Sequence, residues 1–498
     1  MPPIKLAIIG AGPSSFYVAS RLLASLPPSS PHHSALRIHM YDRLWAPHGL
    51  VRYGVAPDHP EVKNCTHKFD DAASDLRLQF FGNVNIITTP PIAPVPGSVM
   101  LPLKSLISHY THLLLSSGCT LPTLHPALPP SDDCVSALSL VHWYTQHPSV
   151  VHKPPPPLEK YKHVSIIGQG NVSLDVARML LTPPSTLEKY DVPESVLEVL
   201  RRSSIKHVSI LGRRGPLQAA FTTKELREMM NLEDSSMVPI DHTHLAIPEG
   251  TKLTRQQSRT MQLLQKGSKN KPGLDFQDLV VGLLRSPTGL APPLSSLASP
   301  SLPYTLSLAH NELSPEMRAI PTGETSTLRT SMVVTALGHQ AEPTIPWYDP
   351  SLRHVRAVGS RVVNETGHTM KNVYASGWAA MGARGVLVST MIDAYGVADT
   401  MLADSFPEQF YKEGDALRSA TDGGSLGDLS EVMAKEADLD SVPEEVLDAK
   451  ATGNVTDYND WRMIDQEEVR RGEKLGKERE RMNWEDAKAF LGRMGGSL

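Results

Sequence analysis

The sequence predicts an α/β fold, and three observations predict it. Two glycine-rich turns, Gly10-Ala11-Gly12-Pro13-Ser14-Ser15 and Gly168-Gln169-Gly170-Asn171-Val172-Ser173, each close an apolar strand, Ile4 to Ile9 and Val164 to Ile167. Each turn then opens a helix-like run, Phe16 to Leu23 and Leu174 to Leu181. After each run comes a second strand that ends in charge: Asp42 closes the first, and Arg213-Arg214 closes the second. Strand, glycine turn and helix in that order make a Rossmann-like unit, so the chain carries two dinucleotide-binding domains.

The two turns share their physics. The first glycine, Gly10 or Gly168, allows the tight turn; the second, Gly12 or Gly170, lets backbone approach a pyrophosphate, and the helix N-terminus offers it free N–H groups. Ser15 and Ser173 replace the third glycine, so each helix sits further from its strand or tucks a hydroxyl into the gap.

The terminal charges separate the ligands. An acidic side chain accepts hydrogen bonds from a free ribose 2′-OH, so Asp42 suits the adenosine of FAD or NAD. The guanidinium forks of Arg213 and Arg214 fit a 2′-phosphate, which selects NADP for the second site; the competing reading is a solvated basic turn. The strand His207 to Gly212 arrives later than the usual interval of about 20 residues, and Thr182 to Ser204 reads as an inserted excursion.

Composition bounds the rest. At 498 residues the chain holds two or three domains. A formal net charge of −5 argues against nucleic-acid binding, and no apolar run approaches the roughly 18 residues of a membrane span. Three cysteines, Cys65, Cys119 and Cys134, form no CxxC pair, which excludes a disulfide scaffold and a cysteine metal cluster and fits a reducing compartment. No metal site is expected. Without a redox disulfide, electrons leaving a flavin must pass directly to an external acceptor. The first strand starts at Ile4, leaving no room for a presequence ahead of it, so the expectation is a cytosolic chain, a mature one, or a mis-assigned start.

Along the chain we expect an FAD-binding part over residues 1–119, an NADP-binding domain over 120–331, and a second FAD-binding part over 332–498. Glycine and proline hold the loop His48 to Pro60 out of regular structure. Leu106 to Leu115 reads as a strand, and Pro122 to Pro130 and Pro154 to Pro157 as connecting segments. Thr222 with Glu225 matches a capping box, which leaves open whether Glu225 also faces a ligand. Residues 232–330 read as a solvated helix face and irregular loop. The strands Ser331 to Gly338 and Asn372 to Gly377 are both expected to return the chain to the first domain. Trp378 reads as a core residue, and the acidic stretch 402–455 as a mobile surface excursion.

The segment Gly49-Leu50-Val51-Arg52-Tyr53-Gly54-Val55-Ala56-Pro57-Asp58-His59-Pro60, continuing to Asn64, resembles the adrenodoxin reductase family, the mitochondrial NADPH–ferredoxin reductases. So do Gly168 to Val172 leading to Asp175-Val176-Ala177-Arg178, Gly212 to Gln218 with Lys224 to Glu228, and Ser376-Gly377-Trp378 with Gly385-Val386. The chain departs from the family's pattern at Ser14-Ser15, at Gly118-Cys119 and at Ala379-Ala380-Met381.

The resemblance implies two Rossmann-like domains in a glutathione-reductase-like arrangement, with the NADP domain inserted in the FAD domain. It places FAD against Gly10, Gly12, Ser14, Asp42, Leu50, Ile86, Trp378, Gly385, Val386 and Leu387. NADP would contact Gln169, Gly170, Asn171, Val172, Arg213, Arg214, Glu225 and Gly385. It implies flavin-centred chemistry with no assigned catalytic side chain, a [2Fe–2S] ferredoxin docked near Arg255 and Arg259, a monomer, at most peripheral membrane association, and a mitochondrial location. Rival expectations are an NADPH-dependent flavin oxidase or quinone reductase, and a catalytically silent FAD-binding electron-transfer subunit.

Overall fold

The computed structural model describes residues 3–92, 94–247, 250–271, 277–293, 304–410 and 432–495. Its first sheet has seven strands in the order Ala357–Val358, Arg361–Val363, Thr369–Ala375, His112–Leu115, Ile4–Ile9, Leu36–Asp42 and Leu78–Gly82. The central strands are parallel, with Ile4–Ile9 between Leu36–Asp42 and His112–Leu115. Helices cover such a sheet, so its strands read as continuous apolar runs. The second sheet is parallel throughout, in the order Ser235–Met237, Gln277–Gly282, His207–Leu211, His163–Ile167, Met332–Thr335 and Cys134–Ser136. Its strands all lie between residues that flank it in the first sheet. The second unit is therefore inserted in the first.

Four expectations need correction. Met332–Thr335 does not return to the first sheet; it pairs with His163–Ile167, and only Thr369–Ala375 makes the return. A short apolar run buried on both faces carries no address for one sheet over another. Leu106 lies in a helix, Leu103–Ile107, that begins after Pro102, and the strand is confined to His112–Leu115.

Within 232–330, besides the helix Arg255–Lys266, the chain forms Gln277–Gly282 and a three-stranded antiparallel sheet of Arg285–Ala291, Tyr304–Leu313 and Ala319–Thr330. Leu306 and Leu308 alternate with more exposed neighbours and pack with Ile167 and Leu211, so half-burial made the segment look polar. Finally, Leu402 is buried inside the helix Leu387–Ser405, and Val446 is buried in the helix Glu444–Ala451. The buried Lys5 ammonium donates to the carbonyls of Asp438 (2.5 Å) and Ser441 (2.6 Å), tying the later part of the acidic stretch to the first sheet. The central part of that stretch, 411–431, lies outside the described residues.

The excursion from Thr182 to Ser204 holds two helices, Pro184–Leu187 and Glu194–Arg201, with Asp191 between them. Asp191 accepts hydrogen bonds from Arg481 (2.7 and 2.5 Å) and Lys63 (2.9 Å). One buried carboxylate thus joins the second unit to the C-terminal segment and to the first unit. The helix Tyr458–Leu475, the last but one, is closed at its N-terminus by a capping box of Asp457 and Asp460, and its Trp461 and Ile464 join the core of the first unit. Glu468 on that helix meets the buried Arg52 with two hydrogen bonds of 3.0 and 2.7 Å. No helix among the described residues is long and apolar enough to cross a membrane.

Candidate functional site

At the first turn the backbone geometry explains each glycine. Gly10 has φ +105°, and a Cβ there would lie 2.4 Å from the Ser116 carbonyl oxygen. A Cβ on Gly12 would meet nothing within 4 Å, so that backbone faces open space. The helix Pro13–Ser25 has no side-chain cap, which leaves its first N–H groups for a ligand. Ser15 donates its hydroxyl to the Gly10 carbonyl at 2.7 Å, filling the gap a third glycine would leave. The Ser14 and Ser376 hydroxyls are 2.6 Å apart and join the two segments of the first unit.

A cavity of about 270 Å³ opens beside this turn and is lined from both units. Gly10, Gly12, Ser14, Asp42, Leu50 and Ile86 line it from one side of the sequence. Trp378, Gly385, Val386 and Leu387 line it from the other. Trp378 is therefore not a core residue: it is half-buried in the cavity wall, stacked on His339 at 6.1 Å, with its indole N–H donated to the Arg384 carbonyl at 3.1 Å.

Asp42 accepts from the Ala11 N–H (2.6 Å) and the Leu44 N–H (2.7 Å). Burial raises its carboxyl above the usual range, while those two bonds and the Arg43 charge pull the other way. A carboxylate has about four acceptor positions, so two remain for a ligand at the cavity surface.

The second turn repeats the pattern. Gly168 has φ +136°, and a Cβ there would lie 2.2 Å from the Ala336 carbonyl oxygen, while Gly170 faces open space. The Gln169 side chain lies over Gly212, where a Cβ would collide at 1.8 Å. Its amide nitrogen is buried and lacks a partner among the described residues. The Asn171 amide oxygen accepts from the Thr222 N–H at 2.8 Å. Of the residues expected to contact NADP, Val172 and Gly385 line the cavity, whereas Gln169, Gly170, Asn171, Arg213, Arg214 and Glu225 stand outside it. Arg213 is exposed and Arg214 half-buried; among the described residues neither is ion-paired.

The capping box at Glu225 is half correct. Thr222 Oγ1 caps the Glu225 N–H at 3.3 Å, but the carboxylate turns away and accepts from Arg178 at 3.0 Å. The cause is a cluster of charges around Arg178. Arg178 also donates to Asp58 at 2.6 Å and to Asp175 at 2.9 Å, and His59 meets Glu228 at 2.8 Å. This cluster fastens the Gly49 to Asn64 loop of the first unit to two helices of the second. Asp175 and Arg178 stand three apart on the helix Asn171–Leu181, a spacing that could have flagged the pair. Burial pushes the Asp175 carboxyl up to about 6, with Arg178 opposing.

No family model matches the chain. It is 33% identical over 494 residues to the mitochondrial NADPH:adrenodoxin oxidoreductase of Bos taurus, covering 96% of this chain and 90% of that protein. The chain belongs to the NADPH:adrenodoxin oxidoreductase family. A further relative is the NADPH-ferredoxin reductase FprA of Mycobacterium tuberculosis, 32% identical over 413 residues, which span 81% of this chain and 84% of that one. The structure of that FprA in complex with NADPH superposes with a TM-score of 0.79 at 29% identity, covering 98% of this chain and 99% of the other. The family's α/β fold with two dinucleotide-binding units is thus the fold of this chain.

Proposed function

We propose that this chain is a flavoprotein NADPH:ferredoxin oxidoreductase, which passes a hydride from NADPH to FAD and single electrons to a [2Fe–2S] ferredoxin. The observation that carries this reading is identity of 33% spread over 96% of the chain, which takes in both turns and the cavity between them. The cavity suits FAD. The Ser116 hydroxyl is buried there without a partner among the described residues, Gly12 faces open space, and an uncapped helix start stands beside it. Bound FAD would supply acceptance of a hydride and release of electrons one at a time.

The chain's own residues do the rest. Gly10 makes the tight turn, with its own N–H donated to the Tyr41 carbonyl at 2.7 Å, while Gly12 and Ser14 would bring backbone N–H groups to the pyrophosphate and Asp42 would use its free acceptor positions on the ribose. Trp378 would close one wall with apolar surface, beside Gly385, Val386 and Leu387. Gln169, Gly170, Asn171 and Val172 would hold the pyrophosphate of NADPH, and Arg213 and Arg214 its 2′-phosphate. Glu225, pinned by Arg178, would flank that site.

Gly12→Val tests the cradle, because its Cβ enters open space and not packed protein. The apoprotein should keep its melting temperature while retained flavin falls by at least about tenfold, roughly 1.4 kcal/mol. Gly10→Ala, by contrast, should lower the melting temperature itself. Flavin retention unchanged in Gly12→Val would remove the turn from the cofactor site.

Arg255 and Arg259 are both exposed, one helical turn apart on the helix Arg255–Lys266. They are the proposed contact for an acidic ferredoxin. Reversing both to glutamate should lower kcat/KM for ferredoxin by about tenfold or more at low salt, with a smaller effect at high salt, because opposite charges steer encounter. Reduction of a small artificial acceptor should not change; an equal loss for both acceptors would place docking elsewhere. The Bos taurus relative is named as mitochondrial, and we propose that this chain too acts in the mitochondrion, as a monomer with at most peripheral membrane contact.

The test of the reading is anaerobic. Purified yellow protein should bleach on addition of NADPH and far more slowly with NADH. Protein that stays yellow with both would instead be a silent electron-transfer subunit.

A further inference from the structure

The second unit contributes two histidines to the cavity wall, His142 and His147, near Tyr53 and Val172. Their rings stack 3.9 Å apart at 8°, and His147 forms an edge contact with Tyr53 at 5.0 Å. His147 is only 5% exposed, and burial holds both imidazoles below their ordinary range, with the Arg43 charge adding to the effect. Both rings are neutral at physiological pH, so each carries one N–H and one bare nitrogen.

Hydrogen bonding decides which nitrogen is which. The backbone N–H of Ser149 donates to His147 Nδ1 at 3.1 Å, so that nitrogen is an acceptor and the ring proton sits on Nε2. The Ser149 hydroxyl lies 2.8 Å from the same Nδ1 and must point its single hydrogen there. Its oxygen is left to accept from His142 Nδ1 at 3.3 Å, which puts the His142 proton on Nδ1 and leaves Nε2 bare. Neither Nε2 has a protein partner among the described residues.

We infer that His147 Nε2–H and His142 Nε2 form a donor–acceptor pair, set by Ser149, that holds the amide-like edge of a planar heterocycle bound in the cavity. This deepens the cofactor reading above and rests on it. Two edges of FAD have that chemistry, the pyrimidine edge of the flavin and the N1 and N6 edge of adenine.

The experiment compares wild type, His147→Leu and His147→Gln for FAD dissociation constant, visible flavin spectrum and reduction potential, with apoprotein melting as the fold control. Glutamine keeps an N–H donor, so His147→Gln should bind FAD within about threefold of wild type, and His147→Leu should weaken binding at least tenfold. A shifted spectrum and potential in His147→Leu would assign the flavin edge; weaker binding with an unchanged spectrum would assign adenine. Equal affinity in all three proteins overturns the inference. So does equal weakening in both variants with a matching fall in apoprotein melting temperature, since His147 would then be purely structural. If wild type itself fails to bind FAD, the cofactor reading falls first, and the inference with it.

Discussion

Arg213→Ala with Arg214→Ala is expected to raise KM for NADPH by about 100-fold while leaving KM for NADH within about twofold. The arginines follow the strand His207–Leu211 just beyond Gly212, and their backbone is held independently of their side chains. The Arg213 carbonyl accepts from the Asn311 amide at 3.1 Å, and the Arg214 carbonyl accepts from the Leu284 N–H at 3.3 Å. The guanidinium groups, in contrast, have no ion-pair partner among the described residues. Removing them should therefore leave the fold intact and take away charge-assisted hydrogen bonds that only a 2′-phosphate can accept. Equal rises for both nucleotides would mean that the two residues support the site without reading the phosphate.

The second large effect is on stability. Asp191→Ala leaves the buried Arg481 and the half-buried Lys63 without their carboxylate, and loss of one partner from a buried ion pair costs roughly 3–5 kcal/mol. In a chain of this size that lowers the melting temperature by about 5 °C. Burial alone would raise the Asp191 carboxyl, but Arg481 and Lys63 hold it well below the usual range. A carboxyl depressed in the folded state stabilises the protein above its unfolded value of about 4, and the contribution fades as pH falls through the lower folded value. The difference between wild type and Asp191→Ala should thus be full at neutral pH and shrink below about pH 4. A difference that stays constant down to that range would show that Asp191 acts through packing and not through charge.

Both turns were legible in the sequence because their glycines answer to backbone geometry: Gly10 and Gly168 need positive φ and close packing that only a missing Cβ permits. The cavity wall at Leu50, Ile86 and Gly385 to Leu387 was legible only through family resemblance, since nothing local distinguishes those apolar residues from core. Trp378 makes the point, because residue type alone put it in the interior. Met332–Thr335 went to the wrong sheet because strand pairing is a long-range choice that a four-residue apolar run cannot encode. The antiparallel sheet from Arg285 to Thr330 was hidden by its solvated face. Arg178, Asp58 and Glu225 were each visible, but their meeting depends on how the two units dock. His142 and His147 carry no motif at all; their roles emerge only from the tautomers that Ser149 imposes.

The destination of the electrons decides what the protein does. Anaerobic mixing of the FAD-loaded protein with NADPH and an oxidised [2Fe–2S] ferredoxin, followed at the flavin and iron–sulfur absorbances, measures this directly. At low ionic strength each NADPH consumed should reduce two ferredoxins, with a rate that falls as salt is added. A flavin that bleaches with NADPH while ferredoxin stays oxidised and a quinone is reduced would contradict the account.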